Sequence, residues 1–165
     1  MCIRDSSYPL HIGVTEAGPP LSGTARSVSA LTILLTEGIG DTIRISLSGD
    51  PVNEVVVCAT LLKSLGLRND IPQIISCPTC GRSYIDVHAI AERLERRLLG
   101  IRKNIKVAVM GCEVNGPGEA KEADIGLAGT RSGAVLFRHG KVEKTLHGDI
   151  EEEFLREVQK ELGGQ

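Results

Sequence analysis

Residues 41–66 read DTIRISLSGDPVNEVVVCATLLKSLG, and this stretch decides the fold class. Residues 41–47 predict a strand, and Asp50 followed by Pro51 predicts the start of a helix, with the carboxylate as cap and the proline in the first turn. The apolar spacing after Pro51 continues to Gly66, which is expected to end the helix. A strand, a short loop and a helix in this order are typical of a parallel α/β unit.

The same pattern occurs immediately before this stretch. Residues 10–15 predict a strand that leads into a loop rich in Gly and Pro, and Ser27 predicts the start of a helix that Gly38 ends. Two such units are too few to cover both faces of a parallel sheet, since a closed barrel needs eight units in about 250 residues. Residues 8–70 are therefore expected to be the end of something larger, and residues 1–7 an unrelated or disordered leader.

Residues 71–165 carry a different pattern, which predicts a small mixed α/β domain that folds by itself. Two helices are expected after Asp86 and Asp149, whose carboxylates suit helix caps. His139 and Gly140 predict a hairpin turn. Five short strands are expected, over residues 71–76, 106–110, 123–128, 134–138 and 141–146.

Composition excludes several classes of function. The 165 residues carry a net charge of −2 and include two Tyr, two Phe and no Trp. A binder of single-stranded nucleic acid needs a basic groove and aromatic stacking platforms, and both are missing. The sequence also has no apolar run of roughly 18 residues and no basic-then-apolar signal pattern. We therefore expect a soluble, cytoplasmic protein that binds neither nucleic acid nor a membrane.

Three cysteines stand out by their spacing. Cys77 and Cys80 form a CxxC pair after one predicted strand, and Cys112 follows another. The carboxyl ends of parallel strands meet at one edge of a sheet, so the three thiols are expected to converge on one metal centre. Glu119, in the Gly-rich loop after Cys112, is the expected fourth ligand.

The residues alone leave the kind of centre open. Structural zinc fits three cysteines and one further ligand, and a thioredoxin-like dithiol fits the CxxC pair but leaves the third cysteine without a role. Iron–sulfur clusters are usually held by cysteines alone. A carboxylate would leave one iron with a ligand that a substrate oxygen can replace, which suits catalysis. A standalone electron-transfer module and a zinc-stabilised interaction domain remain alternative functions.

A second group of polar residues lies in the front half. Glu16 follows the first predicted strand, and Arg44 and Ser46 share one face of the second by period-two alternation. Arg44 is suited to clamp a phosphate and Glu16 to act as an acid, or the two form an ion pair at the strand edge. His11 is either a ligand contact or a core histidine with its hydrogen bonds satisfied.

Several runs of the sequence resemble one known family. They are LHIGVTEAG at 10–18, EGIGDTIRISL at 37–47, SCPTCGR at 76–82 and MGCEVNGPGE at 110–119. In this order they resemble 4-hydroxy-3-methylbut-2-enyl diphosphate synthase, the iron–sulfur enzyme of the non-mevalonate isoprenoid pathway. The resemblance implies the last two β/α units of a TIM barrel over 8–70. A small mixed α/β iron–sulfur domain, ferredoxin-like or sulfite-reductase-like, would follow over 71–165.

The resemblance also implies an activity and its partners. Members of the family open the ring of 2-C-methyl-D-erythritol 2,4-cyclodiphosphate and remove a hydroxyl, using two electrons from reduced flavodoxin or ferredoxin. They work as homodimers, in which the cluster domain of one chain closes over the barrel of the other. This chain matches only the last part of the family's barrel, so it is expected to be an incomplete fragment that is inactive alone.

The family's functional residues fall on matching positions of this sequence. The ligands of a 4Fe–4S cluster correspond to Cys77, Cys80, Cys112 and Glu119. The catalytic residues that the resemblance implies are Glu16, Glu119 and Asn115, the last of these beside the cluster. The substrate-binding residues that it implies are Arg44, Ser46 and His11.

Overall fold

The computed structural model of the chain describes residues 7–114 and 120–163. The chain divides into two compact units, Met1–Asn69 and Asp70–Gln165, and both combine helices with strands. The expected leader lies, apart from Ser7, outside the described residues. Within the described part of the chain, no helix is both long enough and apolar enough to cross a membrane.

The first unit consists of two successive strand–helix pairs. Its elements are β1 (His11–Gly13), α1 (Pro20–Thr36), β2 (Thr42–Arg44) and α2 (Pro51–Ser64). The two strands pair in parallel, with Ile12 opposite Ile43. The helix between them makes this possible, because parallel neighbours need a long crossover that returns the chain to the same edge. This is the parallel α/β arrangement that residues 41–66 predict, although both strands are shorter than expected.

The start of α1 differs from the expectation that Ser27 caps the helix. The helix begins at Pro20, eight residues earlier than expected, with Pro19 as its N-cap and the Gly23 N–H donating to the Pro19 carbonyl at 2.7 Å. Proline is favoured in the first turn because its missing N–H would have no helical partner there. Ser27 lies inside the helix and is fully buried. The prediction was wrong because it treated Pro20 as a loop residue.

Apolar side chains from both helices and both strands form the core of the first unit. Its buried members are Ile12, Leu31, Leu35, Ile45 and Leu61. Side chains alternate along a strand, so burying Ile12 against the helices turns His11 to the opposite face. Arg44, paired with Gly13 in the register, is exposed in the same way. One face of this two-stranded sheet is thus core, and the other carries polar side chains.

The second unit is built on a mixed five-stranded sheet. Its elements are β3 (Gln73–Ser76), α3 (Val87–Leu98), β4 (Lys106–Met110), β5 (Ile125–Thr130), β6 (Gly133–Arg138), β7 (Lys141–Leu146) and α4 (Ile150–Gly163). The strands lie in the order β3-β4-β5-β6-β7, with β3, β4 and β5 parallel and the last two antiparallel. Along the chain, the described elements of this unit follow the order β-α-β-β-β-β-α. A ferredoxin-like fold has the order β-α-β-β-α-β.

The two faces of this sheet are covered differently. One face packs against the apolar stripes of α3 and α4, and the largest buried side chains there include Leu94, Phe154 and Leu155. The other face carries a smaller cluster of mostly small residues, Ala108, Met110, Ala120, Ala123, Ala128 and Phe137. The helices therefore form one layer and the sheet a second.

A glycine on β5 makes room for the one aromatic ring of the smaller cluster. Gly126 lies opposite Phe137 in the antiparallel register of β5 and β6. A Cβ added at Gly126 would lie only 2.1 Å from the Phe137 ring. The ring thus covers the glycine backbone and supplies the apolar surface that the missing side chain would have provided.

Three predicted helix caps and the predicted hairpin turn are confirmed. Asp50, Asp86 and Asp149 each accept a hydrogen bond from a backbone N–H two or three residues further on, at 2.9, 3.0 and 3.1 Å respectively. Such bonds satisfy helix N–H groups that have no partner within the helix. His139 and Gly140 both have positive φ, at 46° and 74°, as a two-residue hairpin between twisted strands requires.

A buried carboxylate joins α4 to the antiparallel strands. Glu157 is almost completely buried and accepts hydrogen bonds from Arg138 at 3.0 Å, Lys144 at 3.2 Å and Lys160 at 2.8 Å. Arg138 also pairs with Glu161. A buried charge is costly unless it is paired and hydrogen-bonded, and here three cations share one carboxylate. The network therefore holds the last helix to the sheet.

Replacing Glu157 by glutamine should lower the free energy of unfolding by about 2 kcal/mol at pH 7, since hydrogen bonds to charged groups contribute about 1.5–3 kcal/mol. Lys160, and then Lys144, hold the pKa of Glu157 below its usual range. A carboxylate whose pKa is lowered by folding stabilises the folded state fully at pH values above its unfolded-state pKa. This stabilisation is lost as the pH falls through the folded-state pKa. Urea unfolding of both proteins at pH 7 and at about pH 3 measures this difference.

Glu92→Gln is the matched control for this experiment. Glu92 is exposed and pairs with Arg96 one turn away on the same helix, so its replacement should change the free energy of unfolding by no more than about 0.5 kcal/mol. The wild type and Glu157→Gln should differ less in free energy of unfolding at about pH 3 than at pH 7. An equal difference at both pH values would contradict the role of the Glu157 charge.

Candidate functional site

Cys77 and Cys112 lie at the carboxyl ends of two adjacent parallel strands. Strands β3 and β4 pair with Ser76 opposite Val109, and the next N–H, that of Cys77, donates to the Val109 carbonyl at 3.1 Å. The Gly111 N–H in turn donates to the Cys77 sulfur at 3.2 Å. Since Cys112 follows Gly111 directly, the parallel pairing brings the two cysteine loops together, as the spacing predicts.

Cys80 lies on the exposed loop that follows β3. Thr79 has a φ of 54°, and the Ser83 N–H closes a turn on the Cys80 carbonyl at 3.0 Å. The backbone N–H of Arg82, and then its guanidinium, lower the pKa of the Cys80 thiol. The thiolate is the form of cysteine that binds metals and acts as a nucleophile. The loop thus presents an activated sulfur at the same edge as Cys77.

Close backbone packing holds this edge together. The Tyr84 N–H donates to the Gly111 carbonyl at 2.8 Å and ties the Cys80 loop to the end of β4. A Cβ at Gly111 would lie 2.4 Å from the Ser83 hydroxyl, and one at Gly129 would lie 2.5 Å from the Gly111 carbonyl. The ends of β4 and β5 and the Cys80 loop therefore approach each other more closely than side chains would allow.

The three cysteines differ in their exposure to solvent. Cys112 is buried, Cys77 is half-buried and Cys80 is exposed, and all three are free thiols. Three free thiols at one sheet edge are the donor type that iron–sulfur clusters use. The donor set present at this edge therefore fits such a cluster.

No three His, Cys, Asp or Glu side chains within residues 7–114 and 120–163 form a ligand set for a single metal ion. The cysteines of a cluster bind different irons, so they stand farther apart than the ligands of one ion. A structural zinc, by contrast, needs its ligands around one point. Glu119 and Asn115, the expected fourth ligand and its neighbour at the cluster, lie outside the described residues.

The second group of candidate residues lies on the polar face of the first unit. The His11 Nδ1 is 2.8 Å from the Thr42 hydroxyl, and its side chain is exposed. The alternative that His11 is a core histidine is therefore wrong. Ser46 is half-buried two residues beyond Arg44, and Glu16 is exposed just after β1, with a φ of 58°.

The Arg44 side chain is hydrogen-bonded to Thr15 and not to a described carboxylate. Its guanidinium donates to the Thr15 hydroxyl at 3.1 Å, and the alternative, an ion pair with Glu16, is not formed between these two described residues. A Cβ at Gly13, the register partner of Arg44, would lie 2.8 Å from the Arg44 carbonyl and 3.0 Å from its Cβ. Gly13 thus leaves the space in which Arg44 lies, and the arginine charge stays available to an anion.

Comparisons with known proteins agree with both halves of the chain. The profile of the GcpE protein C-terminal domain matches residues 73–160, and that of the GcpE TIM-barrel domain matches residues 1–59. The chain belongs to the GcpE family. The resemblance drawn from the motifs is confirmed by this match, as is the α/β class of the fold.

Several curated relatives share more than half of their aligned residues with this chain. The 4-hydroxy-3-methylbut-2-en-1-yl diphosphate synthase (flavodoxin) of Nitratidesulfovibrio vulgaris is 57% identical over 141 residues, which cover 86% of this chain and 36% of the relative. The enzyme of the same name from Geobacter sulfurreducens is 54% identical over 156 residues, covering 94% and 44%. That from Clostridium perfringens is 52% identical over 157 residues, covering 94% and 45%. The chain therefore spans less than half the length of these relatives.

Sequence reasoning missed four side chains that surround the candidate residues. Thr15 and Thr42 hold Arg44 and His11, and the period-two alternation that singled out Arg44 would also have pointed to Thr42. Arg82 follows Cys80 by two residues, a position from which a cation can lower a thiol pKa. Tyr84 carries no sequence signal, because the contact of its backbone N–H with Gly111 and that of its hydroxyl with Arg131 exist only in the folded unit.

Iodoacetamide should alkylate Cys80 at least about fivefold faster than Cys58 at pH 7 in the metal-free protein. The pKa of the Cys80 thiol is lowered by Arg82 and the pKa of the half-buried Cys58 thiol is raised by burial, so more Cys80 is present as thiolate. Mass spectrometry of the modified peptides over time, repeated from pH 6 to pH 9, measures both rates.

Arg82→Gln serves as the control for the alkylation experiment, because it removes the guanidinium and keeps a polar side chain of similar reach. The variant should shift the pH dependence of Cys80 alkylation to higher pH and leave that of Cys58 unchanged. Equal rates for the two cysteines in the wild type would contradict the activated state of Cys80.

Proposed function

We propose that this chain carries the iron–sulfur centre of a 4-hydroxy-3-methylbut-2-en-1-yl diphosphate synthase. Cys77, Cys80, Cys112 and Glu119 would hold a 4Fe–4S cluster. The observation that carries the proposal is the meeting of the two cysteine loops at one sheet edge, where the Gly111 N–H donates to the Cys77 sulfur. Membership of the GcpE family and the activity for which its relatives are named support this assignment.

The reaction consumes two electrons and two protons. The ring of 2-C-methyl-D-erythritol 2,4-cyclodiphosphate opens at a carbon–oxygen bond, a hydroxyl leaves as water, and 4-hydroxy-3-methylbut-2-enyl diphosphate forms. A bound 4Fe–4S cluster would supply single-electron transfer and an iron with a replaceable oxygen ligand. The electrons would come from reduced flavodoxin or ferredoxin, and the enzyme would act as a homodimer.

The residues of the second unit prepare the centre. Arg82 stabilises the thiolate of Cys80, the most exposed of the three sulfurs. The Gly111 N–H orients and stabilises the sulfur of Cys77 at 3.2 Å. Cys112 is buried, so its sulfur would face the centre from a side that solvent does not reach. Asn115 would lie beside the cluster and contact the substrate.

The residues of the first unit would bind and protonate the substrate. Arg44 presents an exposed guanidinium with no carboxylate partner among the described residues, which suits bidentate binding of a diphosphate oxygen pair. Ser46 and His11 would donate further hydrogen bonds to the substrate. Glu16, exposed after β1, would supply a proton to the leaving oxygen. Residues 8–70 would thus be the end of the TIM barrel and residues 71–165 the cluster domain.

Anaerobic reconstitution with iron and sulfide should give a brown protein with about four irons per chain. Cys77→Ala, Cys80→Ala and Cys112→Ala should each lose most of the bound iron, because each removes one of the few ligands. Cys58→Ala is the matched control and should keep it, since Cys58 belongs to the core of the first unit. Iron and sulfide analysis with electron paramagnetic resonance measures the result, and circular dichroism checks that each variant folds.

Two outcomes would overturn the cluster. One is tight binding of one zinc per chain with no uptake of iron, which would favour the interaction domain. The other is equal iron content in Cys58→Ala and Cys80→Ala, which would show that the CxxC pair does not hold the metal.

Replacing Arg44 by glutamine should weaken the binding of the cyclic diphosphate about tenfold, because a charge-assisted bidentate contact is lost. Phosphorus NMR titration of the substrate with the chain measures the dissociation constant, including a weak one. Arg102→Gln removes a charge from an exposed arginine of the second unit and should leave binding unchanged. Equal weakening in both variants would mean that Arg44 acts only through net charge.

A further inference from the structure

Three arginines of the second unit form no ion pair with a carboxylate among the described residues. One of them, Arg156, donates through its Nε to the Glu152 backbone carbonyl at 3.4 Å, and the other two are Arg82 and Arg131. Carboxylates pair with Arg93, Arg96, Arg97, Arg102 and Arg138. Arg82 instead contacts the Cys80 sulfur, and the Arg131 Nε donates to the Tyr84 hydroxyl at 3.4 Å. Neither forms an ion pair with a carboxylate in residues 7–114 or 120–163. Glu113 acts on Arg131 electrostatically and the Cys80 sulfur accepts from Arg82, but no described carboxylate holds either guanidinium at ion-pair distance. Both can therefore pair with a carboxylate of a partner.

Both arginines lie at the cysteine edge of the sheet. Arg131 follows the last residue of β5, and β5 runs parallel to β4, with Met110 opposite Ala128. Its turn therefore lies at the same edge as the end of β4. Tyr84 joins the two, because its N–H donates to the Gly111 carbonyl at 2.8 Å and its hydroxyl accepts from Arg131.

Exposed apolar surface accompanies these charges. The Tyr84 side chain is 46% exposed, and Val114, two residues after Cys112, is 65% exposed. We call Arg82, Tyr84, Val114 and Arg131 the arginine–tyrosine patch. Arginine and tyrosine are enriched among the residues that anchor protein interfaces, and unpaired cations at such a surface steer an oppositely charged partner.

We propose that the arginine–tyrosine patch is the docking surface for the electron donor, a flavoprotein whose surface around its flavin is acidic. This rests on the proposed function and extends it. Electrons must enter close to the cluster, and Cys80, the most exposed candidate ligand, lies beside Arg82. In each encounter the reduced flavin would be oxidised by one electron and keep its proton, and the cluster, when bound, would accept that electron. Two encounters supply one turnover.

Replacing Arg131 tests the proposal most directly, because Arg131 contacts none of the candidate cluster ligands. Binding of a bacterial flavodoxin to the chain, with and without its cluster, is measured by isothermal titration at about 20 mM and about 300 mM salt. Arg131→Glu should weaken binding about tenfold at low salt, and the difference should shrink at high salt, since screening weakens exposed charge pairs. Arg131→Lys, which keeps the charge, should bind nearly as well as the wild type.

Arg102→Glu is the matched control. It makes the same change in net charge, but Arg102 precedes β4 and so lies toward the opposite edge of the sheet. Its binding of flavodoxin should change less than about twofold. If Arg102→Glu and Arg131→Glu weakened flavodoxin binding equally, the proposal would be overturned, because the net charge of the chain alone would then explain the loss.

Reduction kinetics separate this proposal from the proposed function. In the reconstituted protein, stopped-flow reduction by reduced flavodoxin should slow about tenfold in Arg131→Glu, while reduction by dithionite, a small donor, should be unchanged. A chain that takes up no cluster overturns the proposed function, and the binding measurement still tests the patch. A cluster that both donors reduce at wild-type rates in Arg131→Glu overturns the patch alone.

A second copy of the chain is the competing occupant of this surface. If the patch joins two copies, Arg131→Glu should shift sedimentation from dimer to monomer and leave the affinity for flavodoxin unchanged, and this result would also overturn the proposal. Arg82→Glu provides a second variant: it should weaken flavodoxin binding by the metal-free chain, so its test does not depend on whether the variant still loads a cluster.

Discussion

One backbone hydrogen bond marks the constraint on which the candidate metal centre depends. The Cys77 N–H donates to the Val109 carbonyl, and it extends the parallel pairing of β3 and β4 by one residue beyond the last strand position. Parallel neighbours end at the same edge of a sheet, so this pairing brings the Cys77 loop beside Cys112. A slip of one residue in this register would turn the side chains that follow to the other face.

The glycines at this edge are the second requirement. Gly111 and Gly129 leave the space in which the end of β4, the end of β5 and the Cys80 loop meet, and a Cβ at either position would collide with a hydroxyl or a carbonyl. Behind them, α3 and α4 pack on one face of the sheet, and the Glu157 network holds α4 in place. Rigid elements thus position a site whose ligands lie on loops.

Most features that depend on a few neighbouring residues were predicted correctly, whereas most contacts between side chains were not. The caps at Asp50, Asp86 and Asp149 and the turn at His139 and Gly140 depend on a few neighbouring residues, and all were predicted. The start of α1 was missed because proline is compatible with both a loop and a first helical turn, and only packing of Ser27 into the core decides between them. The alternative ion pair between Glu16 and Arg44 is not formed, and the guanidinium donates to the Thr15 hydroxyl instead.

The sequence by itself determined the α/β class, the positions where β3 and β4 end and the cysteines that follow them, because periodicity, caps and CxxC spacing are local properties of the chain. The tertiary structure decided which groups meet. It placed Gly111 against the Cys77 sulfur, and Tyr84 between the end of β4 and Arg131. Contacts between residues about 30 to 50 positions apart depend on strand order and register, and neither is encoded in any single stretch of sequence.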